Sequence, residues 1–243
     1  MNKLTVIAAT LLALAPQAAL ADPGYYLVSV YENEGEKSID FRYWNVKFPG
    51  QTETIWPEIG FGYGVTKRWY TEVFASYIGS SEQSLKLSTW NWQNDYLLTQ
   101  GQYPFDLALH TNLFFNQGPG SGYALELGPA LQTEIGRTQF NVNLIFERTF
   151  GAAEAHPTQL KYQWQVKYRY KPMFEFGLQC FGELGEWNHW SPKNYQSHRV
   201  GPMISGTYAL GGKQALKYQL AVLYGSIYSV NGYMVSTRIQ YVF

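Results

Sequence analysis

The chain has 243 residues, 46% of them hydrophobic and 15% charged, and its 18 basic and 18 acidic residues cancel. Balanced charge argues against a nucleic-acid partner, which calls for a basic excess. The 20 Tyr, 14 Phe and 8 Trp are too many aromatics for a disordered chain, and the single cysteine, Cys180, excludes an intrachain disulfide framework and a cysteine-based zinc site.

Residues 1–21 read as a secretory signal peptide. Lys3 supplies the positive start, Leu4 to Ala15 the apolar run, and Ala19-Leu20-Ala21 the small-x-small cleavage site. The apolar run is short for a membrane span, and no later stretch approaches 18 apolar residues. Residues 22–36 follow as an N-terminal periplasmic segment or a short extra strand. Within them Tyr25–Tyr31 is strand-like, which leaves a plug, a periplasmic extension or an added pairing open.

From residue 37 onward the hydrophobic period is two. Leu160, Tyr162, Trp164, Val166, Tyr168 and Tyr170 alternate with Lys161, Gln163, Gln165, Lys167, Arg169 and Lys171. Successive side chains of a strand point to opposite faces, so one face is apolar and the other polar. Twelve residues exceed the usual globular strand and suit a tilted membrane strand of about 9–11. The same pattern predicts twelve strands, at 37–47, 53–65, 68–79, 85–98, 104–116, 122–135, 138–150, 158–170, 173–186, 197–210, 214–226 and 232–243. Ten or fourteen are the alternatives. Short turns near 66–68, 100–104, 136–138, 170–172 and 211–213 alternate with looser ones near 48–53, 79–84, 117–121, 151–158, 187–197 and 226–231. That alternation is the arrangement of an outer-membrane barrel.

The expected fold is therefore all-β, an antiparallel up-and-down transmembrane β-barrel over 37–243 in the outer membrane of a Gram-negative bacterium. Aromatics open several strands, as an interfacial girdle requires, and the negative mean hydropathy fits strands with one polar face. Tyr233, Val235, Ile239, Tyr241 and the terminal Phe243 share one face. They resemble the C-terminal signal read by the barrel-assembly machinery, which is an expected partner alongside the lipid bilayer and lipopolysaccharide.

Alternation directs Asp40, Arg42, Glu58, Glu126, Glu134, Glu147, Lys161, Lys167, Arg169, Glu175, Glu183, Arg199, Lys217 and Arg238 into the lumen. Two readings stay open: mutual neutralisation in a nearly filled barrel, or a water-filled pore with an acidic wall facing a basic one. Lys161, Lys167 and Arg169 are flanked by strands bearing Glu147, Glu175 and Glu183, which favours cross-strand pairing for these residues. Gly60, Gly62 and Gly64 share a face and leave a slot for Trp56 or another aromatic.

One constellation suggests chemistry. His189-Trp190-Ser191 follows the strand at 173–186, and Glu183 is near. A rim His-x-Ser pair of this kind serves phospholipases and lipid A deacylases of the outer membrane, with the hydroxyl as nucleophile and the imidazole as base. Here Pro192-Lys193-Asn194 follows, where those families carry Asn-Gly, and the stretch reads as an extracellular loop. His110 falls on the lumen face, His156 and His198 on or near loops, and no spacing suggests a metal or a cofactor.

Phe181-Gly182-Glu183-Leu184-Gly185, Ser197-His198-Arg199-Val200-Gly201-Pro202 and Gly206 resemble the late hairpin of small proteobacterial outer-membrane barrels. Among named families they are similar to the outer-membrane transporters associated with meta-pathway phenol degradation. The resemblance covers the last third of the chain. It implies passive passage of small, including aromatic, molecules and carries no residue roles. The sequence therefore reads as a non-enzymatic channel or passive transporter for small solutes, with no nucleic-acid partner. The alternatives are a rim lipid hydrolase and a non-conducting structural barrel.

Overall fold

A computed structural model describes residues 25–30, 34–153 and 157–243. The signal peptide at 1–21, Tyr31 and His156 lie outside the described residues. Twelve long strands form the wall: β1 (Lys37–Lys47), β2 (Thr54–Gly64), β3 (Trp69–Ser80), β4 (Lys86–Leu97), β5 (Phe105–Asn116), β6 (Tyr123–Ile135), β7 (Thr138–Phe150), β8 (Gln159–Lys171), β9 (Phe174–Glu186), β11 (Ser197–Gly211), β12 (Gln214–Ile227) and β13 (Val230–Val242). Between β9 and β11 lies a two-residue strand, β10 (His189–Trp190), paired to the end of β9.

Each long strand pairs antiparallel with its chain neighbours, and β1 pairs with β13, so the sheet closes on itself. The closing seam runs from Ser38 opposite Val242 to Lys47 opposite Tyr233. At its end Phe243 and Lys37 exchange both backbone hydrogen bonds, at 2.9 and 3.0 Å, so the terminal residue completes the ladder. Closure gives each of the twelve long strands a neighbour on both sides, which is what a sheet in lipid requires. No described helix is long and apolar enough to cross a membrane; the strands cross instead.

Two kinds of side chain cover the two faces. Outside stand exposed Phe41, Ile59, Val73, Leu127, Val142 and Val222, with Trp69, Trp90, Tyr96, Tyr123, Tyr170 and Tyr233 nearer the strand ends. An apolar band between aromatic girdles is the surface a bilayer needs. The termini of the wall and the tighter connections share one end, the periplasmic one. The opposite, extracellular end carries most of the longer loops; the periplasmic turn 98–104 is longer than several of them, and one extracellular connection is short. The expected loose loop near 226–231 is a two-residue hairpin turn, Tyr228–Ser229, with both residues at positive φ (47° and 77°). Such a turn matches the twist of its flanking strands, although neither residue is the usual Asn or Gly.

The glycine slot of β2 is filled by aromatics other than Trp56. A Cβ on Gly60 would stand 2.4 Å from the ring of Phe74, and one on Gly62 would stand 2.1 Å from the Tyr70 hydroxyl. Trp56 stacks on Trp44 instead, with centroids 6.5 Å apart. Gly128 is tighter still, because a Cβ there would lie 1.8 Å from the carbonyl oxygen of Leu144 on the adjacent strand. Backbone cannot yield as a side-chain tip can. Gly128→Ala is expected to lower stability by about 1–3 kcal/mol, the usual cost of overpacking, read as a lower midpoint in denaturant unfolding of the folded barrel.

The residues just before β1 do not join the sheet. Residues 25–30 carry no strand pairing and lie inside the barrel, with Tyr25, Tyr26, Leu27, Val28 and Val30 all buried. Of the placements left open for this stretch, its described part occupies the lumen as a plug does.

Candidate functional site

The inner wall is where this fold concentrates polar chemistry. Arg42 on β1 sits at its centre, almost fully buried. It donates to Asp40 at 3.2 Å, to Glu72 on β3 at 2.9 Å and to Gln93 on β4 at 3.2 Å. Its guanidinium is sandwiched between the rings of Tyr26 and Phe74, each centroid 3.9 Å away. Arg238 on β13, directly opposite Arg42 in the register, donates to the same Asp40 at 2.7 Å. Two like charges face each other here because shared carboxylates lie between them.

The contacts continue round the barrel. Gln93 donates to Asp95 at 2.8 Å, and Asp95 lies 2.6 Å from the Nδ1 of His110 on β5. The other ring nitrogen of His110 is 4.0 Å from Glu126 on β6. Lys161 on β8 bridges Glu126, at 3.0 Å, and Glu147 on β7. Glu58 accepts from Asn91 at 2.9 Å and from Ser76. Nearer the periplasm Lys167 pairs with Glu175 at 2.7 Å, Lys217 with Glu36 at 3.2 Å, and Arg169 with Glu134 at 2.5 Å. Arg199 on β11 holds Glu183 on β9 at 2.9 Å. The basic strand β8 thus pairs with both of its acidic neighbours, through Glu147 and Glu175. Its third cation, Arg169, reaches two strands away to β6.

The charges also segregate around the wall. Of the inward-facing charges, β1–β6 carry Asp40, Glu58, Glu72, Asp95, Asp106, Glu126 and Glu134 against one cation, Arg42. β7–β13 carry Lys161, Lys167, Arg169, Arg199, Lys217 and Arg238 against Glu147, Glu175 and Glu183. Residues 25–30 thread between these two sides.

That inner segment is held by side chains rather than by a strand ladder. The Tyr25 hydroxyl donates to Glu183 at 2.5 Å, its ring lies under Arg199 at 3.9 Å, and its carbonyl accepts from Ser236 at 2.8 Å. The Tyr26 hydroxyl accepts from Asn112 at 3.0 Å. The Val28 amide donates to Gln163 at 3.3 Å and its carbonyl accepts from Asn143 at 3.2 Å. The segment also joins two inner apolar clusters. Tyr25 packs with Trp44, Trp56, Phe181, Met203 and Met234; Tyr26, Val28 and Val30 pack with Leu97, Ala108, Ala130 and Ile145. The lumen is therefore not polar throughout, as simple alternation implies. The cluster around Trp44, Trp56 and Met234 closes part of its extracellular half, and the one with Leu97, Ala108 and Ala130 lies toward the periplasmic end.

Toward the periplasm the lumen opens into a cavity of about 330 Å³. Its lining includes Glu134, Lys167, Arg169, Glu175, Lys217 and Arg238, and Ser29 of the inner segment forms part of its boundary.

The possible hydrolytic residues do not assemble. Glu183 belongs to the inner wall, bonded to Tyr25, Arg199 and the Tyr228 hydroxyl. His189 is exposed on β10, and the Ser191 amide donates to Leu184 in the rim ladder at 2.9 Å. Among the described residues no hydrogen bond joins the His189 ring to the Ser191 hydroxyl.

Glu72, Asp95, Tyr25 and Tyr26 complete the constellation and are missing from the sequence-derived set. Asp95 was reachable by alternation, since Trp90, Trp92 and Tyr96 mark the opposite face of β4. Glu72 was obscured because its inward neighbours on β3, Tyr70 and Phe74, are aromatic like the outward residues.

A closed sheet with a lipid-facing apolar band and a polar, partly filled interior defines the class: this is a bacterial outer-membrane β-barrel. No family model matches the chain, and no curated protein matches it in sequence. Solved structures match it in fold. An outer-membrane channel from Pseudomonas putida F1 aligns with a TM-score of 0.61 at 11% identity, over 91% of this chain and 99% of that one. The NanC porin aligns at 0.57 and 12% identity (84% and 98% covered), and the KdgM porin at 0.53 and 11% (85% and 99% covered). At these identities the likeness is one of fold.

Proposed function

We propose that the protein is a passive outer-membrane channel for small solutes whose lumen is closed in this conformation by its own residues 25–30. The observation that carries the reading is the periplasmic cavity lined by ionisable side chains, which ends at Ser29 of that segment. A barrel stabilised only by filling its interior gains most from apolar packing, because buried ion pairs add little net stability over a hydrophobic core. A lumen rich in paired charge is better suited to exchanging protein contacts for water and solute.

The test is single-channel recording of the refolded protein in a planar bilayer. Four of the named ionisable residues lining the cavity are cations and two are carboxylates, so the current is expected to favour anions, read as the sign of the reversal potential in a salt gradient. Silence from both the whole chain and a chain lacking residues 25–30, each verified as folded and inserted, would overturn the channel reading. The similarity of the late hairpins to the phenol-pathway transporters makes small aromatic molecules the first solutes to try in a liposome-swelling assay. In the same vesicles, wild type and Ser191→Ala are expected to release no fatty acid from phospholipid. Release by wild type that the substitution abolishes would reinstate the rim hydrolase.

A further inference from the structure

The two ends of the barrel carry different charge. The periplasmic turns span residues 65–68, 98–104, 136–137, 172–173 and 212–213, and their ionisable residues are Lys67, Arg68, Arg137 and Lys213; none contains Asp or Glu. Lys171, the last residue of β8, adds a fifth cation beside them. The stretch leading into β1 contributes Glu34, Glu36 and Lys37, of which Glu36 is paired to Lys217. At the opposite end the described loop residues carry Glu53, Glu82 and Lys193, and the strand ends beside them add Lys47, Lys86 and Glu186, so that rim is balanced.

Two of the periplasmic cations stand on the lipid side of the wall. The Arg137 guanidinium lies 5.9 Å from the Tyr168 ring and donates to the Tyr170 carbonyl at 3.2 Å. The Lys171 ammonium lies 5.3 Å from the Tyr170 ring. Tyr168 and Tyr170 point outward, opposite to inward Lys167 and Arg169, and belong to the aromatic girdle. Girdle tyrosines sit at headgroup level, so both cations are at the depth of lipid phosphates. Exposed Leu178 on β9 and Val142 on β7 continue the same patch toward the membrane centre. Cations at phosphate depth above an apolar face match a phospholipid in length and in charge.

We propose that this patch, formed by the β6–β7 and β8–β9 turns, binds an anionic phospholipid of the periplasmic leaflet. Arg137 and Lys171 hold its headgroup, and Leu178 and Val142 lie along its chains. A zwitterionic lipid offers the same phosphate but cancels it with its own ammonium, so the net-negative headgroup is preferred. The attraction weakens as salt screens it.

The experiment is intact-complex mass spectrometry of the refolded full chain with dioleoylphosphatidylglycerol or dioleoylphosphatidylethanolamine at equal concentration. Wild type is expected to retain the glycerol lipid in preference. An R137Q/K171Q variant is expected to lose about fivefold of that preference for each cation removed. A K47Q/K193Q variant at the other rim is expected to keep it. Both variants alter exposed residues, and heat-modifiable gel mobility verifies that each is folded. Three outcomes would overturn the proposal: equal retention of the two lipids by wild type, no loss in R137Q/K171Q, or an equal loss in K47Q/K193Q. Displacement of the bound lipid by millimolar inorganic phosphate would do so as well, since it would reveal a simple anion site.

Discussion

Deletion of residues 25–30 is expected to raise single-channel conductance severalfold while leaving the barrel folded. The wall does not depend on the segment: β1 closes on β13 through its own ladder, and residues 25–30 add no strand to it. What the segment does is fill the space between the walls. Its grip is a small difference between large terms. Burying a large apolar side chain contributes about 1.5–3 kcal/mol, while fixing the backbone of each residue costs about 1–2 kcal/mol. The hydrogen bonds with Asn112, Asn143, Gln163 and Ser236 replace bonds to water and add little net. A segment held this way is displaceable, whereas a strand in the ladder is not. Paired Tyr25→Ala and Tyr26→Ala changes are expected to give an intermediate conductance, because they remove the rings held by Arg199 and Arg42 and keep the backbone. Unchanged conductance in the deletion would mean that the apolar cluster around Trp44, Phe181 and Met234 closes the path by itself.

Arg42→Ala is expected to be among the most damaging single substitutions in the wall, costing about 3–5 kcal/mol, because it leaves buried carboxylates without their main partner. Asp40 and Glu72 are both fully buried or nearly so, and among the described residues Arg238, 3.8 Å from Glu72, is the cation left to them, while the Tyr70 hydroxyl still donates to Glu72 at 2.7 Å. The substitution also removes the plate on which Tyr26 and Phe74 stack. Arg42→Lys is expected to recover only part of the loss, since an ammonium cannot bond Asp40, Glu72 and Gln93 in the fork geometry of a guanidinium. Arg169→Ala provides the contrast. Both side chains of the Arg169–Glu134 pair are 39% exposed, so water takes over when the pair is broken, and the expected cost is about 0–1 kcal/mol. Unfolding of each variant in denaturant, followed by loss of the folded band on unheated gels, measures the ranking. Equal losses for Arg42→Ala and Arg169→Ala would show that the interior is wetter than its burial implies.

The strands were legible because each faces two different surroundings. Lipid on one side and a polar interior on the other impose a period of two on every strand, and the alternation of Tyr162, Trp164 and Val166 with Lys161, Gln163 and Gln165 displays it. Predicted and observed strand ends agree to within two residues throughout. The same logic assigned inward charges one at a time, passing over Glu72 and Asp95. For β8 it paired Lys161 and Lys167 with neighbouring strands, which in an up-and-down barrel are neighbours in sequence, as the Lys161–Glu147 and Lys167–Glu175 pairs are.

What the sequence by itself determined, then, is the wall: its period of two and a reading of twelve strands, with ten or fourteen left open. Only the tertiary structure decided what meets inside. Arg42 converges with Glu72, Gln93 and Arg238 because β1, β3, β4 and β13 curve round one axis, and Tyr25 finds Glu183 across 158 residues of chain. Pairing along a wall follows from local alternation, but contact across a lumen depends on barrel diameter and strand stagger. Residues 25–30 fell outside the alternating pattern because an inner segment is surrounded on all sides by protein and has no lipid face to mark it.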